Sequence, residues 1–171
     1  GQIEKVGRYI QLPNDAFEID LEGAHVYAGF IESWIEVKKE EPPKRSPRDH
    51  WSSKVSPEYR AVDDVLFKAK DLIQFRSLGF TMAHIIPEKG IFRGQSGIVT
   101  LSDPPQTVRS SIAQIMDFKY GGWKEREYPS SLLGVIAHIR QTFIDAEWYG
   151  KAQQIIEKYP DENEPIPSNI S

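Results

Sequence analysis

The run Phe80-Thr-Met-Ala-His-Ile-Ile86 is apolar on both of its faces and is bounded by Pro87 and Gly90. A strand with that composition suits a parallel sheet covered on both sides, because neither face carries enough polar groups to meet water. Upstream lies a second strand-like run, His25–Val37, separated from the first by a polar stretch and a helix-like pattern. Strand, loop, helix and strand in that order form a βαβ unit, so the sheet is expected to be parallel and the chain α/β.

Side chains alternate between the faces of a strand. Phe30, Glu32, Trp34 and Glu36 are therefore expected on one side of the upstream run, with Ile31, Ser33, Ile35 and Val37 on the other. The second set is mostly apolar and should pack on helices. The first places two carboxylates beside an indole, a pattern that fits either a solvated edge or the lip of a polar cavity.

Composition narrows the function classes. The chain has 171 residues, enough for one domain with a core. Its net charge of −4 and pI near 5.6 give no general attraction for nucleic acid or anionic lipid, so neither is expected as a partner. With no cysteine, disulfides, thiol catalysis and cysteine-type zinc sites are excluded, while the compartment stays open between cytoplasmic and periplasmic or secreted. No apolar run is long enough to cross a bilayer. Gln2, Glu4, Lys5 and Arg8 interrupt any leader-like core at the start. The chain opens at Gly1 without a methionine, as expected where the natural N-terminus lies further upstream.

Taken in order, Ile3, Val6 and Tyr9 alternate loosely, Phe17–Leu21 reads as a short strand, and Glu22-Gly23 is a tight turn. Lys38–Pro57 is rich in charge and proline and reads as a surface loop. Its basic residues raise a nucleic-acid reading, which Glu40, Glu41 and Asp49 weaken. Ser56-Pro57-Glu58 has the signature of a helix start, with Asp71 as a possible cap after a break and Gly79 as the stop. Ile91–Leu101 places a Gly-rich polar turn between apolar ends but lacks the lysine of a phosphate cradle. Val108–Phe118 alternates as a further strand, broken by Tyr120–Trp123. Ser130-Ser131 cap the longest helix, whose stripe is Leu132, Ile136, Ile139, Phe143 and Ala146. The tail from Pro160 has no packing pattern.

Candidate chemistry is sparse. His25, His50, His84 and His138 share no metal-ligand spacing; His84 reads as a hydrogen-bonded core residue and His138 as a structural residue on a helix flank. No Gly-x-Ser-x-Gly elbow is present. Glu32 and Glu36 form the one site-like grouping.

Several segments nevertheless resemble a known family. Gly1-Gln-Ile-Glu-Lys-Val-Gly7 is similar to the hairpin "G-x-I-x-x-V-G", and Ile19–Glu32 to "I-D-x-x-G-x-x-V-x-P-G-x-I-D", of imidazolonepropionase-like members of the amidohydrolase superfamily. Pro57–Asp63, Leu78–His84, the Gly94-Gln95 turn and Ser131–Tyr149 continue the likeness.

The resemblance implies a small β-sandwich followed by a (β/α)8 barrel. Residues 1–28 would supply sandwich strands, 29–160 the first βα units of an incomplete barrel, and 161–171 a polar tail. A full barrel takes about 250 residues, so the chain would be a fragment whose partner is the rest of the barrel or a second copy. The implied activity is metal-dependent hydrolysis of a C–N bond in a small molecule such as a cyclic amide, amidine or acylated amino acid, with zinc as the implied cation. Glu32, Trp34 and Gln95 would line the substrate pocket, and Glu36 would offer an oxygen to the metal. Two departures stand out. Trp34 and Glu36 occupy the positions of the family's His-x-His ligands, and Ala28 replaces a customary proline. A degenerate, non-catalytic module with Trp34 filling the metal's volume is the alternative. A self-contained binding domain using the Lys38–Trp51 loop is a third reading.

Overall fold

The computed structural model describes residues 3–38, 50–65, 67–119 and 128–159. Most of the expected loop (39–49), the break at 120–127 and the tail from 160 lie outside the described residues. In chain order the elements are β1 (Phe30–Val37), α1 (Ala69–Ser77), β2 (Phe80–Pro87), β3 (Phe92–Gln95), β4 (Gly97–Thr100), β5 (Thr107–Arg109), β6 (Gln114–Met116) and α2 (Leu132–Lys158).

The βαβ unit forms as expected: β1 and β2 pair in parallel, joined through α1. The sheet as a whole does not stay parallel. Its order is β1-β2-β4-β5, with β2–β4 and β4–β5 antiparallel, and β3 pairs β6 in a separate two-stranded sheet. The Ile91–Leu101 segment, expected as a turn, is two strands divided at Ser96. Such short connections cannot make a parallel crossover, which needs a dozen or more residues; antiparallel return is the only route open. The expected 108–118 strand is likewise split into β5 and β6, one for each sheet.

One core cluster joins Val37, Ala61, Leu72, Ala83, Ile85, Val99 and Leu101, with Ile35, Phe75 and Phe80 against it. This is the face of β1–β2–β4 that α1 covers through Leu72. A second cluster, Val55, Ile91, Phe92 and Val135, ties α2 to β3, helped by an edge-to-face contact of Phe92 and Phe143. Gly79 takes φ +88° directly after α1, the left-handed stop that its position predicts. Ser131 caps α2, its hydroxyl accepting from the Gly134 N–H at 3.2 Å.

The helix start expected at Ser56 does not form. The backbone of 54–61 runs beside β3 instead: Ile91 N–H donates to the Lys54 carbonyl, Ser56 N–H to Phe92, Gln95 N–H to Tyr59 and Ala61 N–H to Gln95, at 2.7–2.9 Å. A capping signal is worth about 1 kcal/mol, which four backbone pairings and a buried Val55 outweigh. Residues 3–29 carry no strand, and Ile3, Val6, Tyr9, Phe17, Val26 and Tyr27 are exposed. Strand propensity there has no ladder partner among the described residues, and an unpaired strand is not stable in water.

The apolar stripe of α2 also reads differently. Val135, His138 and Thr142 are the buried residues, whereas Leu132, Ile136 and Phe143 remain exposed. His138 thus faces inward rather than lying on the flank.

Candidate functional site

Strict alternation would put Glu32, Trp34 and Glu36 on one face, but β1 is irregular. Glu32 aligns with Ala83, then Ile35 with Ile85 and Glu36 with Ile86, so β1 carries one extra residue at Ser33–Trp34. Aligned residues of parallel strands share a face. Ala83 and Ile86, three apart on β2, point to opposite faces. Glu32 is therefore on the α1-covered side and Glu36 on the other. The bulge corrects the expected grouping: the two acids do not form one site. It also leaves the Ser33 carbonyl outside the ladder, and His84 Nδ1 lies 3.0 Å from it. A carbonyl only accepts, so Nδ1 carries the proton in this bond, and half-buried His84 acts as a clasp on the bulge.

Trp34, 56% exposed, projects from the bulge, and its N–H donates to Glu32 Oε1 at 3.4 Å. Gln95 is half-buried on β3. Its described bonds are made by its backbone, and none joins its side chain to Glu36. Of the four residues expected at the pocket, Glu36 alone enters a charged cluster.

The centre of that cluster is a residue not foreseen, Arg93. β3 has a register shift between Phe92 and Gly94, and Arg93 is the residue in the shift. Gly94 follows with φ +112°, where a Cβ would lie 2.3 Å from the Tyr59 carbonyl oxygen. This kink sends the Arg93 side chain inward, where it is 7% exposed. Nη1 donates to Glu36 Oε1 at 2.9 Å and to the Pro87 carbonyl at 3.2 Å, and Nη2 donates to Asp117 Oδ2. Asp117, just after β6, is held by its N–H to Ile91 O and by Lys119 N–H on Oδ1, at 2.9 and 3.0 Å. Burial works against charge on Arg93, but the bonds to Glu36 and Asp117 outweigh it and hold the guanidinium charged beyond its ordinary range. Burial likewise pushes the Asp117 carboxyl up, and the Arg93 bond with the Lys119 N–H pulls it net below the usual range. The sequence cue for Arg93 was a lone cation in an apolar strand ahead of a glycine.

Glu36 and Pro87 stand at the C-terminal ends of parallel strands β1 and β2. In parallel α/β folds that end collects functional residues. Of the cluster, Glu36 presents a half-exposed carboxylate at that end, while Arg93 is buried beneath it.

Does it suit a resident metal? Trp34 has no lone pair to give, and Glu36 is already engaged by Arg93. Among the described residues no group of three His, Asp or Glu is placed to hold a cation. The donor set as it stands does not fit the implied zinc.

A second buried polar group sits under α2. His138 is 1% exposed, with Trp51, Tyr128 and His50 rings at 4.9, 5.7 and 6.3 Å. His50 Nδ1 accepts from Ser52 N–H, so its neutral form carries the proton on Nε2. Burial lowers both histidine pKa values. Asp145 opposes this for both and Glu58 for His50, whereas His50 and Lys54 reinforce it for His138. A group depressed on folding takes up its proton more readily when unfolded, so its contribution is intact above the unfolded value and is lost as pH falls. The urea midpoint of the chain should thus drop from about pH 7.5 to about pH 5.5, and His138→Leu should flatten that slope. Equal midpoints at the two pH values would remove the histidines from the stability account.

The architecture defined by these elements is one found among amidohydrolases. A crystal structure of an amidohydrolase from Thermotoga maritima MSB8 superposes with a TM-score of 0.66 at 22% identity, covering 97% of this chain. The chain spans 46% of the length of that protein, and a closed barrel is not formed by the described residues. No family model and no curated protein matches the sequence. Among the described residues no helix is long and apolar enough to cross a membrane.

Proposed function

We propose that this chain is the first part of an amidohydrolase-like hydrolase that cleaves a C–N bond in a small polar molecule, a cyclic amide or a close relative. The observation that carries the reading is Glu36, fixed by Arg93 at the C-terminal ends of the parallel strands. In this reading Glu36, half-exposed, accepts from a substrate N–H while Arg93 keeps the carboxylate oriented. Trp34 and Gln95 flank the substrate. Glu32, on the other face, steadies the bulge through the Trp34 N–H. Residues 1–28 belong to a small β-sandwich, and the remainder of the protein completes the barrel. The metal dependence that the resemblance implies rests on ligands supplied by that remainder, since the residues here do not fit one. The exposed Phe30, Ile31 and Trp34 on edge strand β1, with Ile144, Trp148 and Ile155 on α2, are apolar surface for the rest of the barrel to cover.

A second reading is a non-catalytic amidohydrolase-like binding module. Trp34 and Glu36 at the His-x-His positions favour it, as does a carboxylate already committed to Arg93. The full-length protein should hydrolyse members of a panel of cyclic imides, ureides and N-acyl amino acids, and Glu36→Gln should lower kcat/KM about a hundredfold. Hydrolysis untouched by that substitution removes Glu36 from the site. A full-length protein that binds panel members without turning them over establishes the module instead.

A further inference from the structure

α2 runs for 27 residues but buries only Val135, His138 and Thr142. Val135 belongs to the small cluster with Val55, Ile91 and Phe92, which shares no buried residue with the larger cluster between α1 and the four-stranded sheet. The helix is thus seated on a core of its own, and the middle one of its three anchors is an imidazole. His138 is 1% exposed, and neither of its ring nitrogens has a hydrogen-bond partner. Rings wall it in: Trp51 edge-on at 4.9 Å, Tyr128 at 5.7 Å and His50 at 6.3 Å. His50 is buried as well, and its Nε2 also lacks a partner. A neutral imidazole can occupy such a seat. An imidazolium cannot do so at equal cost, because its charge and both of its N–H donors would be buried without an acceptor. The groups around the pair do not lift that difficulty. On α2, Asp145 favours charge on both histidines, yet its oxygens already accept from Trp51 Nε1 at 3.4 Å and Gln141 Nε2 at 2.6 Å. From the segment before α1, Glu58 favours charge on His50, whereas Lys54 opposes it on His138. Ahead of α2, the Tyr128 hydroxyl is spent on the Gly134 carbonyl at 3.0 Å. A charge on His50 further opposes one on His138.

We propose that His50 and His138 form a proton-operated latch, in which a proton taken up beneath α2 lifts the helix off the cluster of Val55 and Phe92 while α1 and the four-stranded sheet keep their packing. Lifting exposes both imidazoles to water, where they charge in the ordinary histidine range near about pH 6.5. Protons therefore bind the lifted form in preference to the seated one, and falling pH favours lifting. The latch goes beyond a dependence of overall stability on pH, because it names the part of the molecule that opens first. It does not depend on the hydrolase reading, since it concerns the seating of a helix and not turnover.

The test is amide hydrogen exchange of the full chain, read by mass spectrometry at about pH 7.5 and about pH 5.5 and corrected for the intrinsic rate. Amides of α2 around His138 should be less protected than those of β2 at both pH values. On acidification they should lose about tenfold to a hundredfold of their protection, up to about tenfold for each histidine. Their exchange should respond weakly to low urea, as a local opening does, while that of β2 responds steeply. His138→Leu should remove about tenfold of the acid effect on α2. Three results overturn the proposal: α2 and β2 exchanging at one rate with one urea dependence, α2 protection that ignores pH, or a His138→Leu chain whose α2 responds to acid as wild type does. Should His138→Leu not fold, the imidazole proton resonances of wild type decide the matter. Charging of His138 in step with the loss of α2 protection supports the latch, and charging while α2 stays protected overturns it.

Discussion

Ile85→Ala is expected to cost about 3 kcal/mol, within the range for deleting a buried aliphatic side chain that its surroundings cannot refill. Ile85 is fully buried in the middle of β2, flanked by β1 and β4, and touches the cluster that α1 covers. With strands on both sides and a helix above, little of the lining can collapse into the space. Urea unfolding followed by circular dichroism should show a lower midpoint at unchanged slope. Ile73→Ala is the matched control: Ile73 lies on the outer side of α1 and is exposed, so its loss should stay within about 0.5 kcal/mol. Equal shifts for the two variants would mean that the core has been misplaced.

Gly94→Ala should be at least as damaging, by a different route. Its φ of +112° lies where a side chain is strained at a cost of about 1–3 kcal/mol, and the added Cβ would meet the Tyr59 carbonyl at 2.3 Å. The obstacle is backbone, held by the 2.7 Å bond from Gln95 N–H to that same carbonyl, so it cannot swing aside. A total loss of about 3 kcal/mol or more is expected, together with release of Arg93 from Glu36. Gly150→Ala offers the contrast: nothing lies within 4 Å of its Cβ position inside α2, so it should stabilise the chain by about 0.5–1 kcal/mol. A harmless Gly94→Ala would show that the kink under Arg93 is not required.

What the sequence made legible was what local chemistry controls. The β2 strand announced itself by being apolar on both faces, Gly79 ended α1, and Ser131 started α2. The misses in the strands have one cause, which is pairing between distant segments. Ser56-Pro57-Glu58 carries every local sign of a helix, yet Lys54–Ala61 is drawn alongside β3 by bonds to residues more than thirty positions away. No short window contains that information. The bulge in β1 escaped for the same reason, since alternation read from one strand assumes a partner of equal count. Arg93 was passed over, and His138 was placed on the helix flank although it is buried, because a lone polar residue in an apolar context has no spacing to flag it. His84, read as a hydrogen-bonded histidine, does make such a bond, to Ser33.

The extra residue at Ser33–Trp34 gives the chain an uneven sensitivity to changes in its length. Dropping one amino acid there would erase the bulge and leave its flanks in register, with Glu36 still beside Ile86 and Val37 still in the interior, while the bond from His84 to Ser33 is lost. The same deletion near Asn14, in exposed and unpaired backbone, would leave that bond in place. The bulge is thus a spare tooth in β1: the strand can lose it and still mesh with β2.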